Sequence, residues 1–172
     1  MKEIRVITET IYGQVNFYTR IRMRAVVQRV SRAQVSTEGG IIGEIQKGLL
    51  VLLGVAENDT ETDANWMVQK VLNCRIFPDQ NKKMNLSLID INGEALIVSQ
   101  FTLFANIQKG NRPSFIKAAN PTKAQEMYEY CIRKFNDNMA QEVQTGSFGA
   151  MMDVSLNNDG PVTIIFDSHS KI

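Results

Sequence analysis

One apolar segment constrains the fold of this chain more than any other feature. Residues 49–55 read Leu-Leu-Val-Leu-Leu-Gly-Val and contain no polar side chain that could face water. Successive side chains of a strand point to opposite faces of a sheet, so a run of this kind is typical of a strand buried on both faces. The segment therefore predicts a central strand in a sheet that is covered on both sides.

Other strands and two helices surround this segment in the sequence. Thr60 with Asp63 resembles a capping box at the start of one helix, and Asn120-Pro121 supplies an N-cap and a first-turn proline for the second. The predicted strands cover residues 25–30, 33–37, 41–45, 49–55, 84–91, 95–101, 151–156 and 162–166. About eight strands and two helices predict a single α+β domain with a curved, partly barrel-like sheet and the helices packed outside.

Composition excludes several classes of site. The only histidine, His169, lies three residues from the C-terminus, where a catalytic base is poorly held, so His-based triads and multi-histidine zinc sites are not expected. Cys74 and Cys131 fall in apolar helical patterns, which favours buried free thiols in a reducing, cytoplasmic compartment. Neither a metal ion nor an organic cofactor is expected, and no apolar stretch reaches the ~20 residues of a membrane span.

Positive charge is concentrated in two stretches. Residues 10–37 contain five arginines and no acidic residue, and residues 105–120 contain Lys109, Arg112 and Lys117, again without an acidic residue. If the fold brings the two stretches together, they form a local positive face suited to RNA. The alternative is scattered, solvated charge.

Residues 98–115 contain the first candidate site. Ser99, Gln100 and Thr102 stand at the end of a predicted buried strand, and pleat alternation would place Gln100 and Thr102 on one face with Ser99 and Phe101 on the other. These side chains could carry chemistry on a rigid scaffold, or they could satisfy backbone groups at the strand end.

Residues 155–167 contain the second candidate site. Asn158-Asp159-Gly160 favours a hairpin turn between the last two strands, yet Pro161 removes a backbone donor where pairing should begin. A cis Gly160-Pro161 bond at the hairpin tip would turn main-chain groups outward. Alternatively, Pro161 marks an edge strand or a bulge.

The motifs SQFTLF (residues 99–104) and NDGPVTI (residues 158–164) resemble the two motifs of the D-aminoacyl-tRNA deacylases. MRAVVQRVSRAQV, GLLVLLGV, GNRPSF and TGSFGAMMDVSLNNDGPVT extend the resemblance, in matching order, from Met23 to about Phe166. Residues 1–22 have no counterpart in that pattern. They are interpreted as an N-terminal extension of unknown role, although an ordered extra strand is the alternative, and residues 23–172 as the deacylase domain.

This resemblance implies a homodimeric enzyme that hydrolyses the ester bond of D-aminoacyl-tRNA and of mischarged glycyl-tRNA, releasing the free amino acid and tRNA. It implies that a cis Gly160-Pro161 pair from one subunit enters the active site of the other and excludes L-aminoacyl groups. The catalytic wall would consist of Ser99, Gln100, Phe101 and Thr102. Arg29 would brace the Gly-Pro loop, and Phe148 would line the adenosine pocket.

The sequence leaves open the role of Thr102 and two alternative functions. Thr102 is expected to orient the substrate rather than to act as a covalent nucleophile, since an aminoacyl ester is already reactive. A non-catalytic tRNA- or RNA-binding module is the alternative function. A Ser/Thr hydrolase of small esters that does not require tRNA is a third interpretation.

Overall fold

The computed structural model describes residues 23–168, so the predicted extension at residues 1–22 and His169 lie outside the described residues. The elements are, in chain order, β1 (Arg24–Thr37), β2 (Gly40–Ile45), β3 (Gly48–Gly54), α1 (Glu61–Leu72), β4 (Phe77–Pro78), β5 (Met84–Leu86), β6 (Glu94–Ser99), a 3-10 helix (Phe101–Phe104), α2 (Pro121–Asn136), β7 (Gln144–Thr145) and β8 (Asp153–Asp167). No helix within the described residues is long and apolar enough to cross a membrane.

The main sheet has the order β2-β1-β3-β6-β7, with β8 paired to β1. The β3–β6 and β6–β7 pairs are parallel, and β1 is antiparallel to β2, β3 and β8. The sheet curves until β2 approaches β7, where a Cβ atom on Gly43 would lie 2.9 Å from the carbonyl oxygen of Thr145. Glycine permits this close approach, so the sheet forms a nearly closed barrel. The predicted α+β class, with a barrel-like sheet and two helices, is confirmed.

Strand β3 is buried on both faces, as its sequence predicts. Leu49, Val51 and Leu53 face a core shared with α1 and α2, whereas Leu50 faces the barrel interior. Burial of these side chains supplies much of the driving force for folding, at about 25 cal/mol for each Å² of apolar surface. The central strand therefore packs against the helices on one face and against the barrel interior on the other.

Both helix starts are as predicted. Thr60 and Asp63 form a capping box at α1, and the Asn120 side chain accepts a hydrogen bond from the Lys123 N–H with Pro121 in the first turn of α2. These caps satisfy backbone N–H groups that have no partner inside the helix.

The two strands predicted at residues 25–30 and 33–37 are instead one 14-residue strand, β1. The first half of β1 pairs with β3 and the second half with β2, while β8 follows its other edge. Because different neighbours occupy the two halves, the sequence pattern changes in mid-strand although the backbone remains extended.

The hairpin predicted around Asn158-Asp159-Gly160 is also wrong. β8 runs without a turn from Asp153 to Asp167 along β1. The ladder advances two residues on β1, from Gln28 to Val30, while it advances five on β8, from Thr163 to Asn158. The extra residues form a bulge, because the long β1 strand offers a partner on both sides of the turn-like segment.

Candidate active site

A cleft of about 660 Å³ opens at the end of β6. Its lining is mainly apolar and includes Leu53, Val98, Ala124, Tyr128 and Met152. All five residues predicted for the catalytic wall and the adenosine pocket line this one cleft: Ser99, Gln100, Phe101, Thr102 and Phe148. A concave apolar cavity with a few polar groups at one wall is the usual form of a small-molecule site.

The polar wall is not a continued strand. β6 ends at Ser99, and the 3-10 helix begins at Phe101, so the predicted pleat alternation of Gln100 and Thr102 does not hold. Instead, the Gln100 side-chain amide donates a hydrogen bond to the Thr102 hydroxyl. The Gln100 N–H remains bonded to the Leu53 carbonyl oxygen at 2.8 Å, which fixes the point where the chain leaves the sheet.

The change from strand to 3-10 helix creates potential donors at the cleft. In a 3-10 helix each N–H bonds to the carbonyl three residues earlier, so the first N–H groups have no partner inside the helix. The helix begins with Phe101 and Thr102, and both residues are exposed at the cleft wall. Backbone N–H groups in such a position can stabilise negative charge on a substrate carbonyl oxygen.

Arg24 holds this 3-10 helix to β1, a role that its sequence context does not indicate. Its Nη1 donates to the Leu103 carbonyl oxygen at 3.0 Å, and its guanidinium lies 5.5 Å from the centre of the Phe104 ring. Its Nε also pairs with Asp167 at 3.0 Å. In the sequence, Arg24 is only one of five arginines in a basic stretch, and no local signal marks its distant partners.

Tyr128 on α2 shapes the interior of the cleft. Its hydroxyl donates to the Ile97 carbonyl oxygen at 2.7 Å, and its ring lies 5.8 Å from the Phe148 ring. Burial raises the pKa of Tyr128 far above its usual value, so the phenol stays protonated and does not serve as a base. The contact places the Phe148 ring against the helix at the cleft wall.

The rim of the cleft is unusually apolar for an exposed surface. The Phe101 and Phe115 rings pack edge to face with centres 5.1 Å apart, although Phe101 is 58% exposed. Met151, which also lines the cleft, is 91% exposed. Exposed aromatic rings at a cleft can stack on a nucleobase, and the basic residues Lys109 and Arg112 are exposed in the loop that precedes Phe115.

The second predicted cluster lies at the β8 bulge. The Gly160-Pro161 peptide bond is cis, and Gly160 has a φ of +137°, which glycine adopts without steric cost. A Cβ atom there would lie 2.9 Å from Arg29 Nη2. Arg29 itself is buried, and its Nε donates to the Asp159 carbonyl oxygen at 2.9 Å.

Asn158 completes this cluster, although its sequence context indicates only a turn residue. Its side-chain oxygen accepts a hydrogen bond from the Val162 N–H at 2.7 Å, and its amide donates to the Val162 carbonyl at 3.3 Å. One side chain thus provides the hydrogen bonds that the ladder loses at the bulge. We name residues 158–162 the tip.

The tip and the cleft are far apart within one chain. Arg29, which contacts the tip, pairs with Leu49 on β3, whereas Ser99 at the cleft pairs with Leu53 on the same strand. Four residues correspond to about 13 Å along the strands, and the three strand steps from β8 to β6 add about 14 Å across the sheet. Gly160, Pro161 and Arg29 are not part of the cleft lining.

Comparison with known proteins identifies the family. The sequence model described as D-Tyr-tRNA(Tyr) deacylase matches residues 26–167. The D-aminoacyl-tRNA deacylase of Thermosipho melanesiensis is 58% identical over 146 residues, which are 85% of this chain and 97% of that relative.

The chain belongs to the D-aminoacyl-tRNA deacylase family.

Other similar proteins match nearly the same share of the chain. The D-aminoacyl-tRNA deacylase of Flavobacterium psychrophilum is 52% identical over 149 residues, 87% of this chain and 99% of that relative. A solved structure titled c-Myc DNA Unwinding Element Binding Protein is 41% identical with a TM-score of 0.79, covering 83% of this chain and 97% of that one.

A probable eukaryotic D-amino acid tRNA deacylase is 17% identical with a TM-score of 0.73, covering 84% of this chain and 98% of that one, which shows a common fold. Within residues 23–168, no group of three or more His, Cys, Asp or Glu side chains could hold a metal ion.

Proposed function

We propose that this protein hydrolyses the ester bond between a D-amino acid, or glycine, and the 3′-terminal adenosine of tRNA. The observation that carries the proposal is the single cleft that unites Ser99, Gln100, Phe101 and Thr102 with Phe148. The family supports the choice of substrate class. An adenosine and a small amino acid are of a size that a cleft of about 660 Å³ accommodates.

The adenosine enters the apolar part of the cleft, where Phe148 provides a ring face. The aminoacyl carbonyl then lies at the polar wall, within reach of the N–H groups of Phe101 and Thr102. These donors stabilise the oxyanion that forms when water attacks the carbonyl carbon. Water adds to this carbon, the bond to the ribose oxygen breaks, and that oxygen takes a proton as the amino acid leaves.

Water activation does not require a histidine in this proposal. The ester is already reactive, and the neighbouring 2′-hydroxyl of the ribose can position the attacking water. Thr102 accepts a hydrogen bond from Gln100, which suits a residue that orients the substrate. A covalent nucleophile would instead need an adjacent base to remove its proton.

Selection for handedness is assigned to the tip of a second copy of the chain. Tip and cleft are separated along the sheet, so a tip from a two-fold-related partner is the simplest way to complete the cleft. The Gly160 and Pro161 main chain would then face the amino-acid Cα. An L-residue would place its Cβ against this main chain, whereas a D-residue or glycine would not.

The proposal also includes the bounds of the domain, the compartment in which the enzyme acts and its contacts with tRNA. Residues 23–172 constitute the deacylase domain, residues 1–22 an extension, and the enzyme acts in the cytoplasm, where aminoacyl-tRNA is used. The basic residues Lys109, Arg112 and Lys117 in the cleft-side loop contact the acceptor end of tRNA through phosphate groups.

Single-turnover hydrolysis of D-Tyr-tRNA, L-Tyr-tRNA and Gly-tRNA tests the function. We expect release of D-tyrosine and glycine and retention of L-tyrosine. Binding of tRNA without release would support a non-catalytic RNA-binding module, and cleavage of small esters without tRNA would support a general hydrolase. Either result would reject the proposal.

Mixed dimers test the shared site. A protomer with Gly160→Ala has a disturbed tip, and a protomer with Phe148→Ala has a disturbed cleft. Each variant alone should lose chiral discrimination or activity. In a heterodimer of the two co-expressed variants, one of the two sites combines an intact tip with an intact cleft. The heterodimer should therefore regain up to about half of the wild-type rate. Absence of recovery in verified heterodimers would show that tip and cleft do not work across subunits.

A further inference from the structure

We propose that the buried carboxylate of Asp59 is a binding site for an α-ammonium group, namely that of a chain that begins at Met23. Met23 is fully buried, and its backbone nitrogen donates to Asp59 Oδ1 at 2.7 Å. In the 172-residue chain this donor is an uncharged peptide N–H, because Arg22 precedes it. The proposal is independent of the proposed function.

The surroundings of Asp59 are suited to a cation. The side chain is 3% exposed, and its second oxygen accepts a hydrogen bond from the Ala56 N–H at 2.7 Å. The pKa of this carboxyl is raised to about 6, first of all by burial and also by the neighbouring Asp63, although the hydrogen bonds from Ala56 and Met23 and the charge of Lys123 lower it. Among the described residues, no side chain forms an ion pair with Asp59. A buried carboxylate without a cationic partner is costly, and an ammonium would supply that partner.

Ser168 provides an independent observation at the same place. Its N–H donates to the Met23 carbonyl oxygen at 3.0 Å, so the two residues are adjacent. Its hydroxyl is buried and has no hydrogen-bond partner among residues 23–168. Buried hydroxyl groups are normally paired. A peptide N–H has one donor, whereas an ammonium has three, enough for both Asp59 and Ser168.

The size of the relatives agrees with a domain that begins here. The matched 146 to 149 residues are 97% to 99% of the Thermosipho and Flavobacterium proteins, but only 85% to 87% of this chain. The Asp59 carboxylate would therefore receive the amine of a chain of family length, produced by initiation at Met23 or by cleavage before it.

Cleavage of the folded protein tests the site. A specific protease recognition sequence is placed directly before Met23 in the full chain, so that cleavage converts the peptide N–H into an amine without refolding. We expect the thermal unfolding midpoint to rise by roughly 3 °C. We also expect the new amine to be acylated at least about tenfold more slowly at pH 7.5 than the amine of a Met-Arg-Ala peptide, because pairing with Asp59 raises the pKa of the ammonium.

Three controls make the result specific. The same protease sequence placed ten residues further upstream should leave the midpoint unchanged after cleavage. In Asp59→Asn the cleaved amine should be acylated faster than in the unsubstituted chain, without a rise in midpoint. Ser168→Ala should leave the uncleaved chain unaffected and reduce the gain on cleavage. If Asp59→Asn does not fold, the acylation rate of the cleaved, unsubstituted chain relative to the peptide still tests the proposal. A peptide-like rate with an unchanged or lower midpoint would overturn the proposal.

Discussion

Arg29 on β1 donates from Nε to the main-chain carbonyl of Asp159, 2.9 Å away and one residue before the cis Gly160-Pro161 peptide. The same Nε lies 3.2 Å from the Asp159 carboxylate, and Nη1 donates to the Ile76 carbonyl oxygen. One planar cation thus connects the tip with the core of the domain. Arginine can hold several acceptors at fixed angles, which an ammonium on a flexible stem cannot do.

Arg29→Lys should therefore loosen the tip while keeping the charge. We expect the free energy of unfolding to fall by about 2 kcal/mol, since hydrogen bonds from a charged group are lost in a buried setting. Hydrolysis of L-Tyr-tRNA relative to D-Tyr-tRNA should rise about tenfold, which corresponds to ~1.4 kcal/mol of lost discrimination. Urea unfolding and single-turnover rates measure the two effects. The control is Arg32→Lys on the same strand, where the side chain is exposed and pairs with Glu44; equal effects of both substitutions would contradict the role of Arg29.

Gly160→Ala should disturb the tip through direct contact. The new Cβ would lie 2.8 Å from Val162 Cγ2 and 2.9 Å from Arg29 Nη2, and φ at this position is +137°. We expect a loss of about 2–3 kcal/mol in unfolding free energy, together with weaker chiral discrimination. Gly110→Ala is the matched control, because Gly110 also has a positive φ but open space around it. A stability loss no larger than that of Gly110→Ala would show that the predicted contact is relieved at no cost.

Thr102→Ala tests whether Thr102 orients the substrate or attacks it. If the hydroxyl only orients the substrate, the variant should retain most of its single-turnover rate on D-Tyr-tRNA, with a loss below about twofold. Rapid-quench measurements at saturating enzyme separate this rate from binding. Thr122→Ala, at an exposed position on α2, is the control. Complete loss of turnover with intact binding would instead argue against a purely orienting role for Thr102.

Arg24→Gln should act on the chemical step without touching substrate. It removes the hydrogen bond to Leu103 and the cation above Phe104, both of which hold the 3-10 helix that carries the proposed oxyanion donors. We expect kcat to fall about tenfold with little change in KM, since misplaced donors weaken transition-state binding more than substrate binding. Arg75→Gln, an exposed arginine that contacts Asn85, serves as control. A change in KM alone would exclude this positioning role for Arg24.

Asp59 should give the full chain a characteristic pH dependence. Its pKa is raised from 3.8 to about 6, first of all by burial, so the folded state binds a proton that the unfolded state has already lost. Stability contributed by this group is present below about pH 4 and is lost as the pH rises through 6, by on the order of 2–3 kcal/mol. Urea midpoints between pH 4 and 7 measure the effect. Asp59→Asn should flatten this part of the profile, and an unchanged slope would assign the dependence to other groups.

Local patterns in the sequence were sufficient where a structure depends on nearby residues. The apolar run of β3 predicts burial on both faces, and Thr60 and Asn120 predict both helix starts. The predictions failed where pairing with a strand distant in the sequence determines the local conformation. Asn158-Asp159-Gly160 has the chemistry of a turn, but the long β1 pairs with β8 on both sides of it, and the turn becomes a bulge.

The candidate site was predictable to a similar extent. Motifs in the sequence indicate five of the residues that line the cleft, because these five are contiguous or belong to a recognisable segment. Arg24 and Tyr128 gave no such signal. Their roles depend on partners at Leu103 and Ile97, which lie far along the chain and become neighbours only through the fold of the sheet.

Strand β1 carries both Arg24 and Arg29, five positions apart on one continuous ladder with β3. The first arginine reaches the helix at the cleft and the second reaches the tip. In the dimer that we propose, this interval would be a fixed spacer between the tip that a protomer offers and the cleft that receives its partner's tip. In a symmetric pair, inserting or deleting a single residue there would misalign both clefts simultaneously, whereas the length of the exposed loop at residues 105–119 could vary without altering that offset.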